Sequence, residues 1–297
     1  MKQTTTTTDL IGNTPLLRLS SFSSDGKYDI FAKLEGQNIS GSIKDRVAKA
    51  FFDDLEKKKL IKKDTVILEP SSGNTGIGLA MIGTIRGYKV RIMLPEDATS
   101  ERTSLLRFFG AEVEFCTKEE WKGYSAIRKC ELIAKKNKRY VMPNQYENPV
   151  CVDVHYKTTG EEIIKQCPDI THLVATIGTG GTITGIGKRL KEYDPKIKII
   201  GVEIKSDSSI PGPRSIQEYI PPILDFNFID KRVMIEDEKK VFAIHSALAR
   251  QEGIFYGISS AAALKVAIDT SKSCPGAEKK IVCIFPDRGE KYLSMLQ

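Results

Sequence analysis

Metal-binding and disulfide-forming residues are scarce and scattered in this chain. Its 297 residues include three histidines and six cysteines: Cys116, Cys130, Cys151, Cys167, Cys274 and Cys283. No two cysteines have C-x-x-C spacing and no histidine cluster accompanies them, so neither a zinc site nor a disulfide framework is expected, and no metal ligand is assigned. No apolar run reaches membrane-spanning length, which argues against a membrane partner. The opening Met1 to Asp9 is polar and threonine-rich, unlike a secretory signal. The basic runs Lys57-Lys58-Lys59 and Lys135-Lys136-Asn137-Lys138-Arg139 have no interleaved aromatics, so they read as solvated helix ends rather than a nucleic-acid surface. No repeat or low-complexity segment follows the threonines. These absences leave a soluble protein of a reducing compartment, expected in the cytoplasm.

What is present is a globular composition, 40% hydrophobic and 28% charged, with a formal charge of +7 that favours anionic small molecules. Short β-rich runs alternate with helical stretches. Strands are predicted at 29–34, 65–69, 89–94, 112–115, 172–177, 198–203 and 280–285. Helical periodicity covers 47–59, 76–86, 100–109, 121–136, 159–167 and 182–193. Such alternation predicts an α/β protein with parallel sheets and helices on both faces. The strands after residue 64 fall into two groups, roughly 65–145 and 170–285, which predicts two α/β domains. The segment from Asp207 to Leu224 is rich in Ser and Pro and reads as a loop over a cleft.

One lysine stands out. Lys44 follows the small, polar run Ser40-Gly41-Ser42 and precedes a helical stretch. That places it in the first turn of a helix, near the positive end of the dipole. Positive potential and partial burial both disfavour the ammonium form. A neutral amine is what Schiff-base chemistry with an aldehyde requires.

Three strand-to-helix junctions offer anion or ring contacts. In Glu69-Pro70-Ser71-Ser72-Gly73-Asn74-Thr75-Gly76, four polar side chains (Ser71, Ser72, Asn74, Thr75) gather at a helix start. A cap needs one such residue, so four point to an anion site of carboxylate size. In Gly178-Thr179-Gly180-Gly181-Thr182, glycines let the backbone approach an anion and two threonines add donors, as in a phosphate cradle. The loop lacks the lysine of a Walker motif and the spacing of a dinucleotide fingerprint. In Gly257-Ile258-Ser259-Ser260, Ser259 can meet a heteroaromatic nitrogen or simply cap its helix. Lysine, phosphate cradle, carboxylate cradle and serine together describe a pyridoxal phosphate site that accepts an amino acid. A neutral serine at the ring nitrogen suits elimination at Cβ.

The segments Ile11 to Leu16, Gly41 to Arg46, Glu69 to Gly76, Gly178 to Gly185 and Gly257 to Ala262 resemble the cysteine synthase/cystathionine β-synthase family, fold-type II pyridoxal phosphate enzymes. Ser209 to Arg214, then Glu218-Tyr219-Ile220-Pro221, then Asp287 to Leu293, resemble its B type. The resemblance implies two open twisted α/β domains with the cofactor between them: a larger one, 1–40 plus 150–297, and a smaller mobile one, 41–149. It implies that Lys44 binds the cofactor covalently and acts as acid and base at Cα. Asn74 would meet the cofactor's ring oxygen, and Gly178, Thr179, Gly180, Gly181 and Thr182 would hold its phosphate. Ser71, Ser72, Asn74, Thr75 and Gln145 would bind the substrate carboxylate, with Arg214 on the substrate side. Arg288 stands where the A type has its ring-nitrogen serine, passing that role to Ser259.

The implied reaction is β-replacement on O-acetylserine or O-phosphoserine by sulfide or a thiol, through an aminoacrylate, in a homodimer. A second reading makes cysteine the substrate, releasing sulfide and forming serine by addition of water or a thioether by addition of a thiol, with Asp153 as a carboxylate able to activate water. A third is a catalytically silent binder of amino acids or a protein partner. Ser71, Ala261, Ile39 and the Cys151-Val152-Asp153 stretch depart from the family's usual residues.

Overall fold

Strands buried on both faces and helices with one apolar stripe assemble into two sheets. The structure, a computed structural model, describes residues 5–25, 27–121, 124–272 and 279–296. Its strands are β1 Leu16–Arg18, β2 Tyr28–Leu34, β3 Val66–Pro70, β4 Lys89–Pro95, β5 Glu112–Cys116, β6 Tyr140–Val141, β7 His172–Thr176, β8 Lys198–Glu203, β9 Lys231–Met234 and β10 Lys279–Phe285. The longer helices are α1 Lys44–Lys57, α2 Asn74–Arg86, α3 Ser100–Phe108, α4 Ser125–Lys136, α5 Gly181–Tyr193, α6 Glu238–Glu252 and α7 Ile258–Lys272.

One sheet has six strands in the order β1-β2-β10-β7-β8-β9, and the other has four in the order β5-β4-β3-β6. All pairings are parallel except β1 with β2. The α/β expectation therefore holds. The unpredicted strands β1, β6 and β9 have two to four residues, too short for a period-two pattern, and lie at sheet edges. The unpredicted α6 begins at an Asp237 cap that accepts from Lys240 N.

Separate cores form on the sheets. Phe51, Phe52, Ile67, Ile77, Leu79 and Ile92 fill the core of the smaller sheet. Ala262, Leu264 and Phe285 pack one side of the larger sheet, and Ile163, Ile183, Ile186 and Val282 the other. Helix α1 packs on α2, yet its first turn is tied to the larger sheet by a buried ionic knot. Arg46 donates to both oxygens of Glu35, at 2.8 Å each, and to both oxygens of Glu162, at 2.6 and 2.7 Å. Lys33 of β2 also donates to Glu162, at 2.7 Å. Ligands in open parallel sheets collect outside the carboxyl ends of strands. Here the carboxyl ends of β3, β7 and β10 run into Ser71, Gly178 and Asp287, which line shared space.

Candidate active site

Two adjoining cavities share Lys44, Asn74, Gly178, Thr179, Gly212 and Pro213 on their walls. Lys44 is the first residue of α1, and its main-chain N–H donates to Ser42 Oγ at 3.2 Å. Burial lowers the pKa of its amine from the ordinary lysine value, although Cys151 and Asp287 pull the other way.

The Ser71–Thr75 loop lines the first cavity. Ser71 is spent largely on the loop itself: its Oγ accepts from Gly73 N at 3.2 Å and Gly76 N at 3.0 Å. Thr75 donates its hydroxyl to Gln145 Oε1 at 2.6 Å, and Gln145 Nε2 donates to Pro70 O at 3.0 Å. Gln145, 70 positions along the chain, is thus drawn into the same cradle. The first N–H groups of α2 have no partner inside the helix; that of Gly76 goes to Ser71 Oγ, and Ser72, Asn74 and Thr75 line this space. Arg102, which no sequence signal marked, lines the same wall. It donates to Ser72 O at 3.0 Å and lies 4.5 Å from the Tyr292 ring centroid.

The Gly178–Thr182 loop lines the second cavity at the start of α5. Gly180 has φ +88°, a left-handed conformation that suits glycine. A Cβ on Gly181 would sit 2.9 Å from that of Cys151, so the backbone passes where no side chain fits. Thr182 Oγ1 lies 3.2 Å from His155 Nε2, while His155 Nδ1 lies 3.0 Å from Thr159 Oγ1. Burial, then Lys44 and Arg46, hold the His155 pKa well below its usual value, so the ring is neutral at pH 7. His155 opens a π-helical segment, His155–Gly160, and such bulges recur at functional sites.

Asn74 joins the two sheets. Its Oδ1 accepts from Lys291 Nζ at 2.9 Å, and its Nδ2 donates to Asp287 Oδ2 at 2.6 Å. An ammonium can only donate and a carboxylate accepts, so the two neighbours fix the orientation of the amide. Tyr292 OH also donates to Asp287 Oδ2. Ser259, near the start of α7, is buried and lines the second cavity. Arg288 turns away, donating to Gly36 O at 2.7 Å, and lines neither cavity.

Arg214 lies on the first cavity's wall rather than on an open loop. It donates to Tyr146 OH at 2.9 Å, and its guanidinium lies 5.2 to 5.9 Å from the ring centroids of Tyr146, Trp121 and Tyr219. Asp153 corrects the sequence reading. Its side chain is 61% exposed and pairs with Lys157 at 3.5 Å, and it lines neither cavity. Helical phase explains this: Cys151 takes the inward position and Asp153, two residues on, points out. The structure thus gathers Lys44, Ser71, Ser72, Asn74, Thr75, Gln145, Gly178–Thr182, Ser259 and Arg214 around one cleft.

This donor set fits pyridoxal phosphate. A glycine-rich helix start with no room for a Cβ suits its phosphate, and no hydrogen bond ties Lys44 Nζ to another described residue. The five described cysteines are free and buried. No described helix is long and apolar enough to cross a membrane.

Comparison with known proteins agrees. Residues 7–287 match the family described as pyridoxal-phosphate dependent enzyme. Cysteine synthase B of Salmonella typhimurium is 39% identical over 286 residues, covering 96% of this chain and 93% of that protein. A hydrogen sulfide-producing enzyme from Fusobacterium nucleatum superposes with a TM-score of 0.92 at 37% identity, covering 98% of this chain and 100% of that one. An O-ureido-L-serine synthase structure has a TM-score of 0.92 at 30% identity, with 99% and 94% covered. A glycine-lined anion cradle and a buried lysine amine in one cleft, with a family match over nearly the whole length, lead to one conclusion: the chain belongs to the pyridoxal-phosphate-dependent enzymes.

Proposed function

We propose that this enzyme carries out β-replacement on an O-activated serine, O-acetylserine or O-phosphoserine, with sulfide or a thiol as the incoming group and cysteine as the product of sulfide. One observation carries the reading: Lys44 stands between an anion cradle on β7–α5 and a second on β3–α2, in a single cleft. The relatives named cysteine synthase and O-ureido-L-serine synthase support the reaction class.

Pyridoxal phosphate, when bound, supplies an aldehyde for the amino group and an electron sink for the pair released at Cα. In this reading Gly178–Thr182 hold the phosphate through main-chain N–H groups and the Thr179 and Thr182 hydroxyls. His155, neutral, steadies Thr182. Asn74, oriented by Lys291 and Asp287, meets the ring oxygen, and Ser259 meets the ring nitrogen. Ser71, Ser72, Asn74, Thr75 and Gln145 form the cradle for the substrate carboxylate. Ser71 contributes as the loop's internal brace, and Gln145 keeps one Nε2 hydrogen beyond the one given to Pro70. Lys44 Nζ takes the Cα proton and later returns it, a step worth roughly two to four orders of magnitude in rate. Arg214, among aromatic rings at the mouth, faces the incoming anion or the leaving group.

The larger sheet, with residues 1–40 and 150–297, is read as the fixed domain, and 41–149 as the smaller, moving one. A cytoplasmic homodimer is read from the family resemblance. A second direction, cysteine as substrate with loss of sulfide, is favoured by the Fusobacterium neighbour described as a hydrogen sulfide-producing enzyme. The exposed Asp153 lends it no support. The test is a spectral and product screen of the yellow holoenzyme with O-acetylserine, O-phosphoserine, serine and cysteine, each with and without sulfide. Cysteine formed fastest from an O-activated serine is expected. Sulfide release from cysteine at an equal or greater rate would favour the second direction, and a protein that takes up no pyridoxal phosphate would end both.

A further inference from the structure

Behind the β3–α2 cradle lies a buried carboxyl that the proposed reaction does not use. Glu69, fourth residue of β3, has no solvent exposure. Its Oε1 accepts the main-chain N–H of Gln145 at 3.0 Å, and its Oε2 that of Asn144 at 2.9 Å. No lysine or arginine among the described residues balances it: burial pushes its pKa up to about 8, and the hydrogen bonds from Gln145 and Asn144 pull the other way. A buried carboxyl without a cation is costly, and a hydrocarbon of similar size fills such a space more cheaply.

What a carboxylate offers that a hydrocarbon does not is a pair of acceptors for two successive N–H groups, as in an anion-holding backbone nest. Those groups belong to a demanding turn. Asn144 has φ +57°, a left-handed conformation rare outside glycine and tolerated by asparagine. The turn decides where Gln145 points. Gln145 is fastened to consecutive residues of one strand end, its main-chain N–H to Glu69 and its Nε2 to Pro70. Its Oε1 then receives the Thr75 hydroxyl, and both residues line the cavity beside Lys44.

We propose that Glu69 is the positioning residue of the amino-acid carboxylate cradle, clamping the Asn144–Gln145 turn so that Gln145 and Thr75 face the substrate. The inference rests on the reading of the Ser71–Thr75 loop as a carboxylate site. It makes Glu69 selective in effect: the residue matters for amines that carry a carboxylate and not for those that lack one. Its reach excludes the phosphate cradle, which is built on the other sheet.

The test titrates the pyridoxal phosphate holoenzyme with L-serine and with ethanolamine, which differs by lacking the carboxylate, and follows the visible absorbance. Glu69→Gln puts an amide N–H₂ where one acceptor oxygen stood and leaves a main-chain N–H of the turn unsatisfied, which predicts an L-serine Kd about ten- to a hundredfold weaker. The ethanolamine Kd and the pyridoxal phosphate affinity of the apoprotein should stay within about twofold of wild type. Glu69→Asp keeps both acceptors but draws them back by one methylene. It should show the same selective loss at smaller size, and it carries the test if the glutamine variant does not fold. Equal loss for both amines in the variants, or loss for neither, overturns the role given to Glu69. A wild-type holoenzyme that does not favour serine over ethanolamine overturns the carboxylate reading itself, and this inference with it.

Discussion

Replacing Arg46 by methionine should unlock the knot that ties the lysine-bearing helix to the larger sheet, and the loss should depend on pH in a defined way. Arg46 makes paired hydrogen bonds to Glu35 and to Glu162. Burial alone would raise the Glu162 carboxyl, but Arg46 and then Lys33 outweigh it and bring it from 4.5 down to about 2. At about 1.4 kcal/mol per pH unit, that difference is worth about 3 kcal/mol at neutral pH. Because folding lowers this pKa, the stabilisation is complete above about pH 4.5 and is lost as pH falls towards 2. Lys33 stays on Glu162 in the variant, so about 2 kcal/mol of that sum should go with Arg46. Glu35 is left buried with only Thr14 and Asn38 as partners, and breaking such a pair costs about 3–5 kcal/mol in all. Urea unfolding at pH 7.0, 5.5, 4.5 and 3.5, followed by circular dichroism, measures the difference from wild type. The expected result is about 3–5 kcal/mol at pH 7, narrowing by only about 0.5 kcal/mol by pH 3.5, because the folded-state pKa of about 2 lies below that range. A difference under 1 kcal/mol at pH 7, or one that widens as pH falls, would refute the reasoning.

Other outcomes follow from the same geometry. Lys44→Ala should lose the covalent yellow chromophore and lower kcat by at least about a hundredfold, whereas turnover at wild-type rate would remove Lys44 from the chemistry. With its pKa lowered by burial, Lys44 of the apoprotein should be acylated ahead of surface lysines at pH 7, and peptide mapping that finds it last would count against this. Gly181→Ala pushes a methyl to 2.9 Å from Cys151 Cβ, and overpacking of that kind costs about 1–3 kcal/mol. A calorimetric titration should show weaker pyridoxal phosphate binding, and unchanged affinity would mean that the loop does not hold the phosphate. Lys291→Met removes the donor that orients Asn74 while relieving a buried ammonium. Tm should stay within a few degrees while cofactor affinity falls about tenfold, and a collapse in Tm with normal affinity would reverse the interpretation.

The architecture was legible where sequence period and burial agree. The strand predicted at 198–203 coincides with β8, and 280–285 differs from β10 by one residue, because each carries a short apolar run, 199–202 and 281–285, that begins directly after lysine. The edge strands were not legible, since two to four residues carry no period. The anion loops stood out because small and hydroxyl residues cluster at helix starts, a local signal. Glu69, Arg102, His155 and Lys291 gave no such signal. Each looks like any charged or polar residue until the fold brings it against Gln145, Ser72, Thr182 or Asn74, tens to hundreds of positions away. Asp153 shows the opposite failure: nearness in sequence to Cys151 suggested a pocket residue, and helical phase decided otherwise.

The contacts of Asn74 have a consequence for any motion between the two sheets. Asn74 begins a helix on the four-stranded sheet, while Asp287 and Lys291 follow the last strand of the six-stranded one. Any swing that parts the sheets must first separate an amide from an ammonium and a carboxylate. In the reading of 41–149 as a moving domain, Asp287 and Lys291 would be the latch, and its strike plate the side chain read as touching the cofactor. On that reading, admission of the amino acid and alignment of the ring would be a single mechanical event, and a mutation at Lys291 would be felt first as a door that no longer stays shut.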